Sequence, residues 1–276
     1  MSLNSCPICK ANSSIKISAD LYRCSLCSLI FNINFKSLQY GRDYFISEYE
    51  AQYGKTYMDD FENIYGLSKI RLKRIMGLLK KKDNLSILDI GSAAGFFLKA
   101  AKDYEVKKDY KIKKLKGIEI SEFAAEYCKT NFSIDVIVSS FEEAEIDEKF
   151  NIITSWFFIE HLMNPIDELK KIYMMLNEGG VFAMSVPSFF GPMFRFSREQ
   201  WIKSHPTDHR IDLSPYSAKK ILKAVGFKKI KIKICGYHPE RVVRRDSIFF
   251  RPFEILYRLF STITKFSDTI EIYAVK

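Results

Sequence analysis

Two Cys-x-x-Cys pairs near the N-terminus, Cys6–Cys9 and Cys24–Cys27, are spaced to bind one metal ion. Each such turn aims two thiolates at one point, and two turns complete a tetrahedron around Zn²⁺. Fourteen residues separate the pairs, a spacing typical of zinc ribbons. Four thiolates leave no coordination position for water, so we expect a structural ion. The segment 1–34 is too short to bury a core unaided, and a metal would supply the missing stability.

Two other uses of these cysteines are open at this point. A disulfide framework conflicts with a cytoplasmic location, which we expect because the N-terminal residues contain no apolar core that could act as a secretion signal. A redox Cys-x-x-Cys needs only one pair and a thioredoxin-like strand–helix–strand context, which this segment lacks.

A second set of candidate ligand-binding residues lies at the ends of the predicted strands in the middle of the chain. Gly91 and Gly95 permit a tight strand-to-helix turn and a close approach of the backbone to a ligand. Asp89, just before them, would repel a diphosphate and suits a ligand with a cationic amino group. Glu119 ends the next predicted strand, where a carboxylate can accept both hydroxyls of a ribose.

The next two strand ends continue this pattern. Ser140 and Phe141 offer a polar side chain and a ring that could hold a purine, and Trp156 ends the fourth strand. An isolated strand-Gly-x-x-x-Gly turn is often ordinary packing. Four such features on successive loops favour a cofactor site.

Histidines supply the candidate bases. His161 follows the fourth strand and could remove a proton from an acceptor, or could simply cap the following turn. His209 belongs to a polar cluster, residues 205–210, in the loop after the fifth strand. That cluster could orient an anionic or hydroxylated acceptor, and a metal site is an alternative use.

The elements that must position these residues alternate between strand and helix. Short apolar runs predict strands at 86–90, 115–120, 135–139, 151–156, 181–186, 227–234 and 269–275. Between them, helical periodicity predicts helices at 94–104 and 122–129, from Pro165 to the Gly179–Gly180 pair, and from Pro215 to Gly226. This alternation implies an α/β fold with a parallel sheet and helices on both faces, in which ligands bind beyond the carboxyl ends of the strands.

Composition excludes two classes of protein. With 47% hydrophobic residues the chain is not disordered, and no apolar run approaches the roughly 18–20 residues that span a bilayer. The net charge of +10 is compatible with an anionic partner or simply with a lysine-rich surface.

Two further segments have patterns with more than one interpretation. Tyr49, Tyr53 and Tyr57 recur every four residues in the helical lead-in 35–80, as a packing stripe or as a lid that excludes water from a cofactor. The basic amphipathic insertion 241–266 could contact a membrane surface, form a dimer face or pack on its own domain.

Taken together, these motifs resemble the class I S-adenosylmethionine-dependent methyltransferases. ILDIGSAAGFFL resembles their glycine loop, GIEIS their acidic second strand end, and FNIITSWFFIEHLMNPIDELKKIYMMLNEGGVFAMSVPS their fourth strand, helix and fifth strand. The likeness covers roughly residues 85–275. It implies a Rossmann-like, seven-stranded, mostly parallel sheet in residues 81–276, preceded by the zinc-ribbon-like module 1–34 and the lead-in 35–80. One departure is Ala93, where many members have glycine.

The resemblance also implies a set of ligand contacts. Asp89 and the 91–95 loop would contact the methionyl part of S-adenosylmethionine, Glu119 the ribose, and Ser140 and Phe141 the adenine. The full set of expected cofactor residues is Asp89, Gly91, Ser92, Ala93, Gly95, Phe96, Glu119, Ile120, Ser140, Phe141 and Trp156. The catalytic candidates are His161 and His209.

A closer likeness is to the branch with an N-terminal Cys-x-x-Cys pair module and the segment YGRDYFISEYEAQYGKTYMDDFENI. That branch includes methyltransferases of sugar and surface-polysaccharide biosynthesis, which implies a sugar nucleotide or glycan precursor as the acceptor. The alternative is a zinc-containing nucleic-acid-binding or RNA-methylating protein. The module holds only Lys10, Lys16 and Arg23 as basic residues, too few to follow a phosphate backbone. A cofactor-binding scaffold without activity also stays open.

Overall fold

A computed structural model of the 276-residue chain describes residues 5–36, 41–80, 82–108 and 111–276. Its strands are β1 Ser14–Lys16, β2 Leu21–Cys24, β3 Ile30–Asn32, β4 Leu85–Ile90, β5 Ile112–Glu119, β6 Val136–Val138, β7 Phe150–Trp156, β8 Leu176–Pro187, β9 Ile211–Asp212, β10 Lys229–Ile234 and β11 Thr269–Val275. Its helices are α1 Tyr49–Tyr53, α2 Phe61–Met76, α3 Phe96–Lys108, α4 Glu122–Phe132, α5 Pro165–Met175, α6 Pro192–Phe196, α7 Arg198–Lys203, α8 Pro215–Val225 and α9 Phe250–Thr264. Within the described ranges, no helix is both long and apolar enough to cross a membrane.

Seven strands form one sheet in the order β10-β11-β8-β7-β4-β5-β6. The central strand β4 runs parallel to β5 and to β7, and β5 runs parallel to β6. Asp89 at the end of β4 is in register with Gly117 of β5 and with Thr154 of β7. The predicted α/β Rossmann-like fold is confirmed, and each of the seven predicted strands overlaps an observed one.

The predicted end of the helix that begins at Pro165 is wrong. Helix α5 ends at Met175, and the Gly179–Gly180 pair lies inside strand β8. Lys276 explains the difference, since its backbone N–H donates to the Gly180 carbonyl at 3.1 Å and its Nζ donates to the Leu176 carbonyl at 2.9 Å. These carbonyls therefore find partners in the C-terminal segment, a pairing that local periodicity does not reveal.

The chain divides into two compact units, which are described separately. The first comprises 1–37, 157–170 and 184–274, and the second comprises 38–156, 171–183 and 275–276. The second unit holds β4, β5, β6 and β7 with helices α2, α3 and α4.

The first unit contains an antiparallel sheet in the order β1-β2-β3-β9. Three of its strands come from the predicted zinc-ribbon-like module. The fourth, β9, is contributed by residues far along the chain, with Phe31 opposite Ile211 and Ile30 opposite Asp212. The predicted domain boundaries at residues 34 and 80 stay predictions. Residues 1–4 of that module and 37–40 of the lead-in lie outside the described residues.

The predicted tyrosine stripe does not lie on one helix. Helix α1 ends at Tyr53, and Gly54 follows in the left-handed conformation with φ +73°. Tyr57 therefore lies beyond the helix, although its ring contacts that of Tyr49 at a centroid distance of 5.1 Å. The side chain of Tyr53 lies outside the described part of the structure.

Candidate functional site

The loop after β4 has an alternating backbone conformation. Gly91, Ala93 and Gly95 have positive φ values of +66°, +47° and +78°, whereas the residues between them do not. Gly95 is required for a second reason, since a Cβ there would lie 2.1 Å from the sulfur of Cys128. Ala93 occupies a left-handed position that costs a non-glycine residue energy. Such strain marks a loop whose shape is fixed by its surroundings.

Asp89 lies at the end of β4 and is almost completely buried. Thr154 of β7 donates its hydroxyl to Oδ1 of Asp89 at 2.6 Å. Burial raises the pKa of Asp89 to about 7, against the lowering effects of the Thr154 hydrogen bond and the Arg71 charge. A cationic ligand group beside this carboxyl would hold it in the charged form.

Arg71 of α2 is a buried cation that the sequence reasoning missed. Its guanidinium lies 4.1 Å from the ring centroid of Trp156, the predicted cofactor residue at the end of β7. Trp156 also packs on Phe97, and its buried indole Nε1 has no hydrogen-bond partner among the described residues. Arg71 lies on the buried face of α2 with Ser68 and Ile75. The sequence feature that could have revealed it is a charged residue on the otherwise mostly apolar face of a helix.

Glu119 at the end of β5 is tied to two backbone segments. Its Oε2 accepts the N–H of Ala93 at 2.8 Å, and its Oε1 accepts the N–H of Ser121 at 3.0 Å. Burial raises its pKa, while these backbone donors act to lower it. The next residue, Ile120, is about half exposed, and the side chain of Ser121 caps the start of α4. Glu119 thus links the end of β5 to the loop after β4.

The remaining predicted cofactor residues in this unit differ in exposure. Ser92 and Phe96 are buried, and within the described part of the chain the hydroxyl of Ser92 finds no hydrogen-bond partner. Phe141 is also buried, while Ser140 is half-buried and donates its hydroxyl to Oε2 of Glu143 at 2.9 Å. The purine contact predicted for the 140–141 loop stays a prediction. Because the Phe141 ring is buried, the groups of this loop that could contact a purine are the Ser140 hydroxyl and the backbone.

Tyr57 is the centre of an aromatic group beside the two carboxylates. Its ring stacks on Phe96 at 5.1 Å and meets Phe45 edge-on at 5.3 Å. Burial raises the pKa of Tyr57, and the negative charges of Asp89 and Glu119 add to that effect. The phenol therefore stays neutral and able to donate a hydrogen bond. The lid predicted for this segment stays a prediction.

In the first unit, Asp208 holds His161. The Nδ1 atom of His161 lies 3.1 Å from Oδ2 of Asp208 and 3.0 Å from its carbonyl oxygen. Two acceptors at Nδ1 place the proton on that nitrogen and make Nε2 the basic atom of the neutral ring. Burial acts to lower the pKa of His161, but the Asp208 hydrogen bond and the Glu160 charge outweigh it and raise the pKa.

The other predicted catalytic residue, His209, belongs to the same cluster. Its ring lies 4.9 Å from that of His161 and 5.7 Å from that of His205. Asp212 joins them, with Oδ2 2.8 Å from Nε2 of His205 and Oδ1 3.8 Å from Nδ1 of His209. Burial acts to raise the pKa of Asp212, but the two histidines outweigh it and lower the pKa.

Glu160 completes the cluster as a fully buried carboxyl. Burial raises its pKa, against the lowering effect of His161 and His209. No residue that the structure describes forms a hydrogen bond with its Oε2 atom. Glu160, His161 and His209 offer atoms within 4.8 Å of one another, as do His205, His209 and Asp212. The metal alternative for this loop therefore stays a prediction.

The four N-terminal cysteines meet in one cluster. The sulfurs of Cys6 and Cys27 are 3.5 Å apart, as are those of Cys9 and Cys24, and all four lie within 4.8 Å of one another. A tetrahedral site with Zn–S bonds of about 2.3 Å requires sulfur separations of about 3.8 Å. The backbone N–H of Leu26 and that of Cys27 donate to the Cys24 sulfur at 3.4 Å. In the described structure no disulfide joins any of the six cysteines.

Sequence comparison places the chain in a known family. A family model described as "Methyltransferase domain" matches residues 65–232, more than half of the chain. That match includes every predicted cofactor residue and both predicted catalytic histidines. No curated protein matches the chain by sequence.

Solved structures share the fold at low sequence identity. A SAM-dependent methyltransferase from Archaeoglobus fulgidus has a TM-score of 0.56 and 20% identity, over 83% of this chain and 98% of that one. A SAM-dependent methyltransferase from Thermotoga maritima has a TM-score of 0.55 and 19% identity, over 85% and 97%. The plantazolicin methyltransferase BpumL, solved with SAH, has a TM-score of 0.54 and 17% identity, over 83% and 88%.

Proposed function

The chain belongs to the methyltransferase-domain family and is an S-adenosylmethionine-dependent methyltransferase, and we propose that its acceptor is a small hydroxylated molecule, a sugar nucleotide or another glycan precursor. The observation that carries the cofactor assignment is the pair of buried carboxylates, Asp89 and Glu119, on adjacent parallel strand ends beside a left-handed loop. Ligands of such sheets bind at this edge.

The residues present suit the groups of the cofactor. Asp89, with its raised pKa, would pair with the cationic methionyl end. Glu119 is already oriented by two backbone donors and retains lone pairs for ribose hydroxyls. The alternating backbone of the 91–95 loop, with glycine at positions 91 and 95, would let the main chain approach the ligand closely. When bound, S-adenosylmethionine supplies a methyl group on a positively charged sulfur.

The surrounding side chains prepare the site for that charge. The buried carboxyl of Asp89 provides negative potential where water is excluded, which strengthens its attraction for a cation. The neutral phenol of Tyr57 and the rings around it would keep the site dry. Holding two reactants in line can supply about 7–11 kcal/mol of the barrier reduction.

His161 would act as the base for a hydroxyl acceptor. Asp208 fixes the ring and its tautomer, so Nε2 can take the proton as the hydroxyl oxygen attacks. The resulting imidazolium is stabilised by the carboxylates of Asp208 and Glu160. His209, packed edge-on against His161, would orient the acceptor. These roles rest on the geometry within the cluster and on the position of His161 just after β7.

The cysteine cluster would hold a structural Zn²⁺. The sulfur separations support this, since four thiols this close without a disulfide suit a tetrahedral ion. The ion would stabilise the β1-β2-β3-β9 sheet, because Cys24, one of its four ligands, ends strand β2. Because β9 directly follows the loop containing Asp208 and His209, that sheet would also anchor the histidine cluster.

The acceptor class rests on the likeness to sugar methyltransferases and is tested by product formation. Purified protein is incubated with S-adenosylmethionine and either a panel of sugar nucleotides or a pool of structured RNA, and SAH release is measured. We expect release with one or more sugar nucleotides and none with RNA. Release with RNA alone would overturn the acceptor assignment in favour of the RNA-methylating alternative.

A further inference from the structure

Helix α9 and the residues just before it expose an unusual amount of apolar surface. Seven large hydrophobic side chains there are between 50% and 87% exposed. They are Ile248, Phe249, Ile255, Leu256, Leu259, Phe260 and Ile263. A contiguous exposed apolar surface of this kind marks an interaction site. It lies outside the residues assigned to the cofactor, the base and the metal.

The apolar side of α9 faces away from its own unit. Tyr257 and Ser261 are the buried residues of the helix, and Tyr257 packs near Phe266 at 6.3 Å. At 100° per residue, Ile255, Leu256, Leu259 and Ile263 lie on the opposite side, within an arc of about 100°. An amphipathic helix of a single domain normally buries that arc. Here the helix instead buries its narrower, partly polar side, which contains Tyr257 and Ser261.

Positive charge surrounds this apolar arc. The segment 241–266 contains six arginine and lysine residues against two acidic residues. Arg251 and Arg258 lie side by side along one edge of the arc, and Arg244 and Arg245 are highly exposed. The ion pairs that Arg244 and Arg258 form with Asp246 and Glu254 are on the surface. Ion pairs on the surface contribute little to stability. Because basic residues outnumber acidic ones, the segment has a net positive charge.

We propose that α9 and residues 248–249 lie on the surface of an anionic lipid bilayer, with the apolar arc inserted at the boundary between headgroups and acyl chains. A long apolar face bordered by arginines has the chemistry for this position. No described helix is long and apolar enough to span the bilayer, so the helix lies along the surface. A second copy of the chain fits less well, because a two-fold interface would bring the two basic edges together.

Vesicle flotation of the 276-residue, zinc-loaded protein tests this proposal. One set of vesicles contains phosphatidylcholine alone, and the other contains in addition about one quarter phosphatidylglycerol. We expect about tenfold more protein to float with the anionic vesicles, and less as the salt concentration rises. Equal flotation with both sets, or none with either, would overturn the proposal.

A pair of variants separates the apolar arc from general surface properties. Leu256→Glu with Ile263→Glu places charge in the arc, and we expect it to reduce flotation about tenfold. The control, Ile15→Glu with Met174→Glu, makes the same change at two apolar side chains that are about as exposed but lie elsewhere. The control should float like the wild type, and equal loss in both would contradict a role for α9.

Light scattering of the same proteins tests the alternative that a second copy of the chain covers the apolar arc. We expect the wild type and the α9 variant to have the same mass across a range of concentrations without lipid. A wild-type dimer that the Leu256→Glu, Ile263→Glu variant abolishes, together with no flotation, would assign the face to a second copy instead.

Discussion

The carboxylate of Glu119 accepts the backbone N–H of Ala93 at 2.8 Å, and this bond joins the end of β5 to the loop after β4. The donor belongs to a residue held at φ +47°, so the bond also helps to keep the loop in its strained form. One acidic side chain therefore shapes the loop expected to approach the cofactor and supplies oxygen acceptors beside it. That double role explains why Glu119 is buried and yet polar.

Glu119→Gln tests the double role. The amide would present an N–H₂ group or a weaker acceptor where Ala93, Ser121 and ribose hydroxyls need a carboxylate. Loss of charge-assisted hydrogen bonds of about 1.5–3 kcal/mol predicts SAH binding weaker by about tenfold to a hundredfold in calorimetric titration. Glu122→Gln, at an exposed acidic residue just along the chain, is the control and should bind like the wild type. Equal affinity of both variants would remove Glu119 from the site.

Gly95→Ala tests the contact between the loop and α4. The added Cβ would lie 2.1 Å from the Cys128 sulfur, and φ is +78°. Backbone strain and overpacking together predict a loss of about 2–4 kcal/mol in the free energy of unfolding. In chemical denaturation, adding Cys128→Ala should restore part of this loss, because it removes the clash but not the strain. A double variant no more stable than Gly95→Ala alone would contradict the steric explanation.

The strands and the cysteine cluster could be predicted because their signals are local. The run Ile87–Ile90 is apolar apart from Asp89, and the Cys-x-x-Cys turns are complete within four residues. The glycine loop was predicted for the same reason. The sequence explained Gly95 only by the tight turn. The second reason, the close approach of the Cys128 sulfur, depends on helix α4 and is not visible in the local sequence.

The parts that escaped prediction depend on residues far apart in sequence. β9 is two residues long and has no periodicity, and its partner β3 is about 180 residues earlier in the chain. The partner of His161 is Asp208, in a different loop, so the residue pair was not predicted although both residues were noted. Arg71 carries a charge on an apolar helix face, and only the fold shows that this face meets Trp156.

The pH dependence of methyl transfer tests the base. Because the pKa of His161 is raised and the neutral ring is the active form, the rate should increase with pH through an apparent pKa above the usual value of about 6.5. His161→Gln should lower the rate about a hundredfold and remove this dependence. An unchanged pH profile in that variant would exclude His161 as the base.

Asp208→Asn separates positioning from base chemistry. Without the carboxylate the largest influence that raises the pKa of His161 is lost, so the pKa should fall and the rising part of the profile should shift to lower pH. The maximal rate should also fall, because the imidazolium loses a partner. Affinity for SAH should not change, and this measurement is the control for folding. A lower rate with an unshifted profile would contradict the assigned pairing.

The zinc assignment predicts one zinc ion per chain by elemental analysis. Cys24→Ser should lose the ion, whereas Cys235→Ser, at a cysteine outside the cluster, should keep it. Since β9 pairs with β3, loss of the ion should also increase hydrogen exchange at Ile211 and Asp212. Metal-free wild-type protein with unchanged exchange at these residues would show that the cluster does not stabilise this sheet.

The central claim is that the ends of β4 and β5 form the cofactor site, and titration of SAH into Asp89→Ala beside the wild type tests it most directly. The wild type should bind with a dissociation constant in the micromolar range, Asp89→Ala should show no measurable heat, and Asp147→Ala, at an exposed aspartate, should bind normally. Folded, zinc-loaded wild-type protein that gives neither heat nor a thermal shift with SAH, or an Asp89→Ala variant that binds like the wild type, would contradict the account.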